Sequence, residues 1–549
     1  MIFLFQIGTF IYIRAEKGET PGNKIMDVLL LHVPKFNNYY RPINRFSFVL
    51  FPPIGLLGLA NYLQKNGYES RIIHLGVEQH KQGKIDLSNI IAEHIPSIIG
   101  LDLHWHFQSY DVINTARKIK QANPKIPVLL GGFTASLFAE EILRDFDCID
   151  FVIRGDAEIP LLHLVRHYLS DRAYDQVPNL AYRQGNVVMV NPTSFIADSQ
   201  LLDTICYTDF TLMKDYACFI ESFSRYMNMP GLSEASQRML FRWQKGYQVY
   251  LGRGCIHGCS YCGGSKEAHK IISGRNCVSM RSIDSILASI QDLEKFGFES
   301  ACLALDSFPL PQVDDYYVAI FDGIKRLNIS LDIEVERYYP PTLRFIKSFR
   351  ELPGNGSFVT ISPHTHNEQL RKRNALYRYS NQELEQSLTM MEDEGVNTLL
   401  CFTCGLPFES MEDLKSMAKY QQHIRKKFKR VRFKTCMIEI EPGSGMSRNP
   451  QAYEIQLHRS SFADYYNYHS QPMQNHWLAM GYDRSGCPEH QQVSRFFCRH
   501  FCERFKAGWA SPLVCCTTSA MWKLGVFRFF NVLVGLNPRQ RKSIRSKRK

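Results

Sequence analysis

Short apolar β-type runs alternate with segments of helical periodicity along most of this chain, and that alternation restricts its fold more than any other feature. Between residues 26 and 185 the runs MDVLLLHVP, SRIIHLG, SIIGLDLHWH, IPVLLGGFTAS and CIDFVIRGD are separated by stretches such as PPIGLLGLANYLQKNGY and DVINTARKIKQANP, whose apolar residues fall at helical spacing before Asn-Gly or Asn-Pro stops. Strands that are apolar throughout are buried on both faces. The alternation therefore predicts an α/β domain with a doubly wound parallel sheet. Right-handed crossovers bring the C-terminal strand ends of such a sheet to one edge, and ligands bind there.

The second half alternates as well. YQVYLGRG, ACLAL, SLDIEV, SFVTIS, NTLLCFTCGLP and RFKTCMIEI read as strands, and SIDSILASIQDLEKFGF carries Ile283, Ile286, Leu287, Ile290 and Leu293 on one helical face. About six such units predict a barrel or part-barrel whose chemistry gathers at the C-terminal strand ends. With 549 residues the chain exceeds one domain. The expected plan is an extension at 1–25, a first α/β domain at 26–185, a linker at 186–244, the part-barrel at 245–450 and a C-terminal region with a basic tail at 451–549.

Two glycine turns sit on the first domain's ligand edge. Gly131 and Gly132 follow VLL directly, and Gly155 follows FVI within Arg154-Gly155-Asp156-Ala157-Glu158. Such positions often serve only as tight turns, but a missing β-carbon also lets a ligand approach the backbone closely. Neither turn matches G-x-G-x-x-G and no P-loop is present, so a nucleotide cofactor is poorly supported.

The first barrel strand runs into LGRGCIHGCSYCGG, which places Cys255, Cys259 and Cys262 in the spacing C-x3-C-x2-C. A structural zinc ion wants four ligands, and His257, lying between two of the cysteines, is awkwardly placed to be the fourth. Three thiolates on a cubane iron-sulfur cluster leave one iron open to bind another ligand.

Cys255, Cys259 and Cys262, with Tyr261 at the customary aromatic position, resemble the signature of the radical SAM superfamily. The series PPIGLLGLANYL, VLLGGFTAS, FVIRGDAEIPLL, the cysteine loop and IEIEPGSGM is similar to its cobalamin-binding subfamily from about residue 26 to about 450. The resemblance implies a Rossmann-like cobalamin-binding domain followed by a radical SAM part-barrel. A [4Fe–4S] cluster on the three cysteines would chelate S-adenosylmethionine (SAM) and cleave it reductively to a 5′-deoxyadenosyl radical, with electrons from a donor such as flavodoxin or ferredoxin. The corrinoid would lie against Gly131 and Gly132 and the loops after Pro34, His104 and Gly155. SAM contacts would fall on Tyr261, Glu334, Ser362, Arg371 and Gly405 of the Gly405-Leu406-Pro407 turn. The superfamily's Gly-Gly-Glu stretch is replaced by Leu305-Asp306-Ser307, which leaves Asp306 to accept from the SAM ammonium. Asp102-Leu103-His104 mimics the start of a D-x-H-x-x-G cobalt-ligand motif, but position 107 is Phe and the segment follows the third strand. His104 or Trp105 is therefore expected to line the corrin face, not to bind cobalt.

By the same resemblance the chain is a methyltransferase acting on an unactivated carbon of a small molecule. The alternatives are ring formation or rearrangement without methyl transfer, and a non-catalytic corrinoid sensor. A methylthiotransferase would need a cysteine trio in the first domain, where Cys148, Cys206 and Cys218 are far apart.

The formal charge of +12 does not point to nucleic acid, because seven cations in the tail, Arg539, Arg541, Lys542, Arg545, Lys547, Arg548 and Lys549, leave only +5. The 16 cysteines form no dense framework and no cleavable leader precedes them, so reduced thiols and a cytoplasmic location are expected. Met26 is an alternative start, since MDVLLLHVP already reads as a first strand. Cys487, Cys498 and Cys502 read as core residues, with an auxiliary cluster as the alternative. The aromatic segment Met521 to Leu536 with its basic tail offers a weak membrane-surface contact, and ADYYNYHSQPMQNHW a cover for the active site.

Overall fold

A computed structural model describes residues 26–36, 53–225, 246–304, 312–471 and 482–484, with the single positions 492, 493, 496 and 500. Its first sheet contains β1 (Met26–His32), β2 (Ser70–His74), β3 (Pro96–Asp102), β4 (Val128–Gly131) and β5 (Phe151–Ile153), all parallel to one another. The spatial order β2-β1-β3-β4-β5 reverses direction between β1 and β3. That switch point opens a crevice at the carboxyl ends of the two strands, where a doubly wound sheet takes its ligand. Leu29, Leu31, Ile99 and Leu101 face one apolar layer, and Val28, Leu30 and Ile98 face the other. Both faces are thus buried, as the unbroken apolar runs require.

Two features depart from the expected plan. β6 (Leu180–Gln184) and β7 (Val187–Val190) extend the sheet as an antiparallel hairpin, turned through Gly185 at φ 62°. A boundary at 185 falls inside this hairpin. The stretch expected as a linker is also partly built into the first domain. Tyr207 packs so closely on Gly58 that a β-carbon there would lie 2.5 Å from its ring, and Met213 bridges to Ile72 beside β2.

The second sheet starts with β8 (Gly246–Val249), after which β9 (Gly252–Arg253) and β10 (Ser279–Met280) form a short ribbon. It continues through β11 (Ser300–Ala304), β12 (Asp332–Arg337), β13 (Phe358–His364), β14 (Asn397–Cys404) and β15 (Val431–Met437). Six parallel strands stand in chain order, β8 and β15 at the two edges, which is the expected part-barrel. Serine caps set the helices between them: Ser282 accepts from Ser285 N–H ahead of Ile283–Lys295, and Ser380 forms a capping box with Glu383. Along β12 the period of two buries Ile333, Val335 and Arg337 on the helix side, where Arg337 pairs with Asp314 at 2.5 Å. Glu334 and Glu336 therefore project to the opposite, inner face.

The two domains are joined by a buried ionic cluster. Asp156 bonds Arg253 at 2.9 Å and Arg275 at 2.5 Å, Arg253 also clasps Glu158, and Ser273 fills the space beside Gly155, where a β-carbon would lie 2.5 Å from its own. After the barrel, β16 (Ile455–Leu457) pairs with β17 (Tyr482–Arg484). The helix Phe462–Ser470 then returns to the first domain, its Phe462 and Tyr466 packed on Phe146. Among the described residues no helix is long and apolar enough to cross a membrane. Cys487, Cys498, Cys502, the 472–477 part of ADYYNYHSQPMQNHW and the Met521–Leu536 segment lie outside the described residues, as do the 1–25 extension and Asp306.

Candidate functional site

The cysteine loop leaves β9 and crosses the mouth of the barrel. Its backbone is held at three points. Ser260 N–H donates to Asn374 O at 3.0 Å and the Ser260 hydroxyl to Asn374 Oδ1 at 2.9 Å; Met446 N–H donates to Ser260 O at 2.8 Å; and Gly263 N–H donates to Glu441 Oε2 at 2.7 Å. Gly263 leaves no room for a side chain, since a β-carbon would meet Pro442 O at 2.8 Å.

Backbone amides point at two of the sulfurs: His257 N–H at Cys255 Sγ, 3.4 Å, and Gly264 N–H at Cys262 Sγ, 3.3 Å. Cys259 Sγ lies 3.8 Å from the Tyr377 hydroxyl. Such donors stabilise thiolates bound to iron. Burial pushes all three thiols up, Cys259 to about 11, and neighbouring thiols and Glu441 add to the effect at Cys262. Metal binding would release these protons. Among the described residues no three Cys, His, Asp or Glu side chains gather around the place of one ion. A cubane cluster takes each thiolate at a different iron. Cys255, Cys259 and Cys262 take part in no disulfide.

Inside the barrel the loop meets a polar wall. The Tyr261 hydroxyl lies 3.2 Å from His364 Nε2, and His364 Nδ1 lies 2.9 Å from Thr403 Oγ1. Thr360 donates to Glu334 at 3.1 Å and Ser362 to Glu336 at 3.4 Å. Burial raises Glu334 to about 7, opposed by the Thr360 bond. The structure thus brings Tyr261, Glu334 and Ser362 to one inner surface. Arg371 stands apart, buried with its guanidinium 4.6 Å over the Tyr379 ring and bonded to Asn381 at 2.6 Å, a wall position. Gly405, at φ 92°, turns the chain after β14 with its N–H on Glu409 at 2.6 Å. Glu336, His364 and Thr403 carry no motif of their own; the period of two along β12, β13 and β14 is the signal that marks them.

The opposite wall comes from the first domain. His104 stacks on Phe133 at 4.9 Å and meets Trp105 edge-on at 4.7 Å. Asp102 is engaged by His32 at 2.6 Å and by Val33 N–H at 3.0 Å, so it does not orient His104. A β-carbon on Gly131 would have nothing within 4 Å, so that position stays open, whereas Gly132, at φ 106°, is crowded by His104 backbone atoms at 2.8 Å. Gly132 therefore serves the approach of the neighbouring strand loop, and Gly155 serves the packing of Ser273.

His104, Trp105, His106, Phe133 and Thr134 face Gly263, Glu441 and Pro442 across a narrow cleft of about 20 Å³. Phe133 spans it: the ring approaches the β-position of Gly264 at 3.9 Å and meets His269 edge-on at 5.1 Å. The first domain's ligand edge and the cysteine loop thus open into one space. The aromatic side chains of this wall are of the kind that would pack on a corrin, and the amide-lined thiols suit a cluster.

Comparison with known proteins agrees with this layout. Residues 47–165 match the B12 binding domain family, and residues 249–420 match the Radical SAM superfamily. An uncharacterized methyltransferase of Pyrococcus horikoshii is 27% identical over 169 residues, 31% of this chain and 35% of that protein. The chain thus matches about a third of that relative's length. Among solved structures, the radical SAM methyltransferase TsrM of Kitasatospora setae, with tryptophan and a SAM analogue bound, superposes with TM-score 0.57 at 15% identity, covering 80% of this chain and 82% of TsrM. The cobalamin-dependent SAM radical enzyme OxsB, with aqua-cobalamin bound, superposes with TM-score 0.58 at 14% identity, covering 93% of this chain and 72% of OxsB. At these identities the likeness is one of fold.

Proposed function

This chain joins a B12-binding domain to a radical SAM domain, and on that premise we propose that it is a cobalamin-dependent radical SAM enzyme that transfers a methyl group to an unactivated carbon of a small molecule. The observation that carries this reading is the shared cleft, into which the His104–Phe133 wall and the Gly263–Glu441 edge of the cysteine loop both open. When bound, the cluster and SAM supply a 5′-deoxyadenosyl radical and cobalamin a transferable methyl group. The chain's own residues hold and shield. Cys255, Cys259 and Cys262 would ligate the cluster, and the amides of His257 and Gly264 lower the cost of their negative charge. Glu334, with Ser362 and Tyr261, would receive the polar end of SAM on the barrel's inner face, Gly405 would turn the chain beside its adenine, and Asp306 and Arg371 remain further positions to test. Gly131 with His104, Trp105 and Phe133 would seat the corrin and keep water from its reacting face. A soluble one-electron donor such as flavodoxin or ferredoxin would reduce the cluster in the cytoplasm, no nucleic acid is needed, and contact with a membrane surface would fall to the basic tail.

The test is an anaerobic reaction of reconstituted enzyme with SAM carrying a deuterated methyl group, cobalamin, reductant and a metabolite pool, followed by mass spectrometry. The expected result is 5′-deoxyadenosine together with a product carrying the deuterated methyl. Deoxyadenosine with a product that has gained no methyl would replace methyl transfer by ring formation or rearrangement. A fully loaded cluster that yields no deoxyadenosine would overturn the enzyme reading.

A further inference from the structure

Four titratable side chains from four separate segments meet end to end beside the cleft. Lys35, just past β1, places Nζ 3.3 Å from His469 Nδ1; His469 Nε2 lies 3.1 Å from His106 Nδ1; and His106 Nε2 lies 3.3 Å from Glu439 Oε1. Lys35, His106 and His469 are buried, and His106 lines the cleft. Ile438 and Ile440 turn into the core, whereas Glu439, 3.3 Å from the cleft-lining His106, keeps 37% of its side chain accessible. None of the four residues is used to hold cluster, SAM or corrin.

The connectivity permits two complete arrangements. In one, the Lys35 ammonium donates to His469 Nδ1, His469 Nε2–H donates to His106 Nδ1, and His106 Nε2–H donates to the Glu439 carboxylate. Moving each proton one step along its bond leaves a lysine amine, both imidazoles in the other tautomer, and a neutral carboxylic acid. Each of these three hydrogen bonds survives the change. Such a chain carries a net proton from end to end without ionising either histidine.

We propose that Glu439 is a proton-exchanging residue of the cleft, coupled through His106 and His469 to Lys35, and that it meets an ionisable N–H or O–H group of the substrate. In the forward step the substrate N–H or O–H bond breaks and a Glu439 O–H bond forms. The proton then passes to His106 Nε2, the His106 Nδ1 proton to His469 Nε2, and the His469 Nδ1 proton to the Lys35 amine; no electrons change hands. The end groups are matched for this exchange. Burial lowers Lys35 to about 8, with Asp111 and Glu439 opposing, and raises Glu439 to about 7, with Arg459 opposing, Glu441 adding and Lys35 opposing. Further neighbours include Phe107, whose carbonyl accepts from Lys35 Nζ at 3.2 Å, Tyr465, whose ring is 5.0 Å from that of His106, and Tyr468, which lies under Arg459 at 3.9 Å.

The assignment to a substrate group rests on the cleft being the reaction chamber, so the relay itself is tested without turnover. The full chain, with its cluster reconstituted and no SAM, is titrated through neutrality by infrared difference spectroscopy. The expected result is a carboxylic-acid carbonyl band that vanishes as pH rises, is lost in Glu439→Gln, and shifts its midpoint in His106→Gln and His469→Gln. A band that ignores both histidine substitutions, or no band that Glu439→Gln removes, would overturn the relay. Nitrogen-labelled histidine in the unsubstituted protein gives an independent readout: His106 and His469 should change tautomer together with one midpoint, and two unrelated midpoints would sink the coupling. Loss of SAM cleavage alone bears on the proposed function and leaves this titration unchanged.

Discussion

The Gly263 amide donates a 2.7 Å hydrogen bond to the Glu441 carboxylate, which ties the last turn of the cysteine loop to the segment that follows β15. Glu441→Ala would leave this part-buried N–H without its acceptor, a loss of about 1–3 kcal/mol. The expected outcome is a protein that folds but holds less iron and sulfide after reconstitution and bleaches faster in air. Cluster content equal to that of the parent protein would show that the bond does not position the loop.

Replacing Cys255, Cys259 and Cys262 together by Ala removes all three thiolates that the amides of His257 and Gly264 and the Tyr377 hydroxyl surround. The visible iron-sulfur absorption and all SAM cleavage should disappear, while cobalamin uptake by the first domain persists. Iron and sulfide retained in quantity would point to a second cluster at Cys487, Cys498 and Cys502.

Gly131 and Gly132 are adjacent yet make opposite predictions. A side chain at Gly131 enters open space, so Gly131→Leu should leave the melting temperature unchanged and lower cobalamin affinity by obstructing the seat. Gly132→Val meets His104 backbone at 2.8 Å from a left-handed φ of 106°, so it should destabilise the fold by about 1–3 kcal/mol and lose cobalamin by displacing the His104 loop. Thermal melts and cobalamin titration of both variants separate the two effects. Full cobalamin affinity in Gly131→Leu would move the corrin away from that strand end.

Local signals explain what was legible in the sequence. The apolar runs, the helix stops and the C-x3-C-x2-C spacing each operate over a few residues, and they placed both sheets and the cluster loop. The β6–β7 hairpin is equally local, with Gly185 between two short strand runs, but its short, largely exposed second strand lacks the apolar continuity that marks the others. The polar chemistry depends on distant pairs instead. His106 meets His469 from 363 residues away, and the partners of Asp156 lie across the domain junction. No spacing rule reaches across such intervals. The close neighbour of Gly132 is a loop from the adjacent strand, and nothing in the sequence around Gly132 marks that approach.

The Asp156 carboxylate gives the domain junction a pH dependence with a definite sign. Burial alone would raise it, but Arg253 and Arg275, helped by the Ala197 N–H at 2.8 Å, hold it below the usual carboxylate range. A depressed folded-state value stabilises the native state. That contribution is complete above the unfolded carboxylate's value of about 3.9 and is lost as the pH falls through the lower folded value. Asp156→Asn keeps the shape but removes the charge, and Asp156→Ala strands two buried guanidinium groups, a loss of about 3–5 kcal/mol. Both variants should melt below the parent protein at neutral pH, Ala more than Asn, and the gap to the parent should narrow as the medium is acidified below about pH 4. Because the junction holds the cleft walls together, cobalamin affinity should fall in parallel. A melting gap that stays constant through the acid range would show that Asp156 is not the titrating link between the domains.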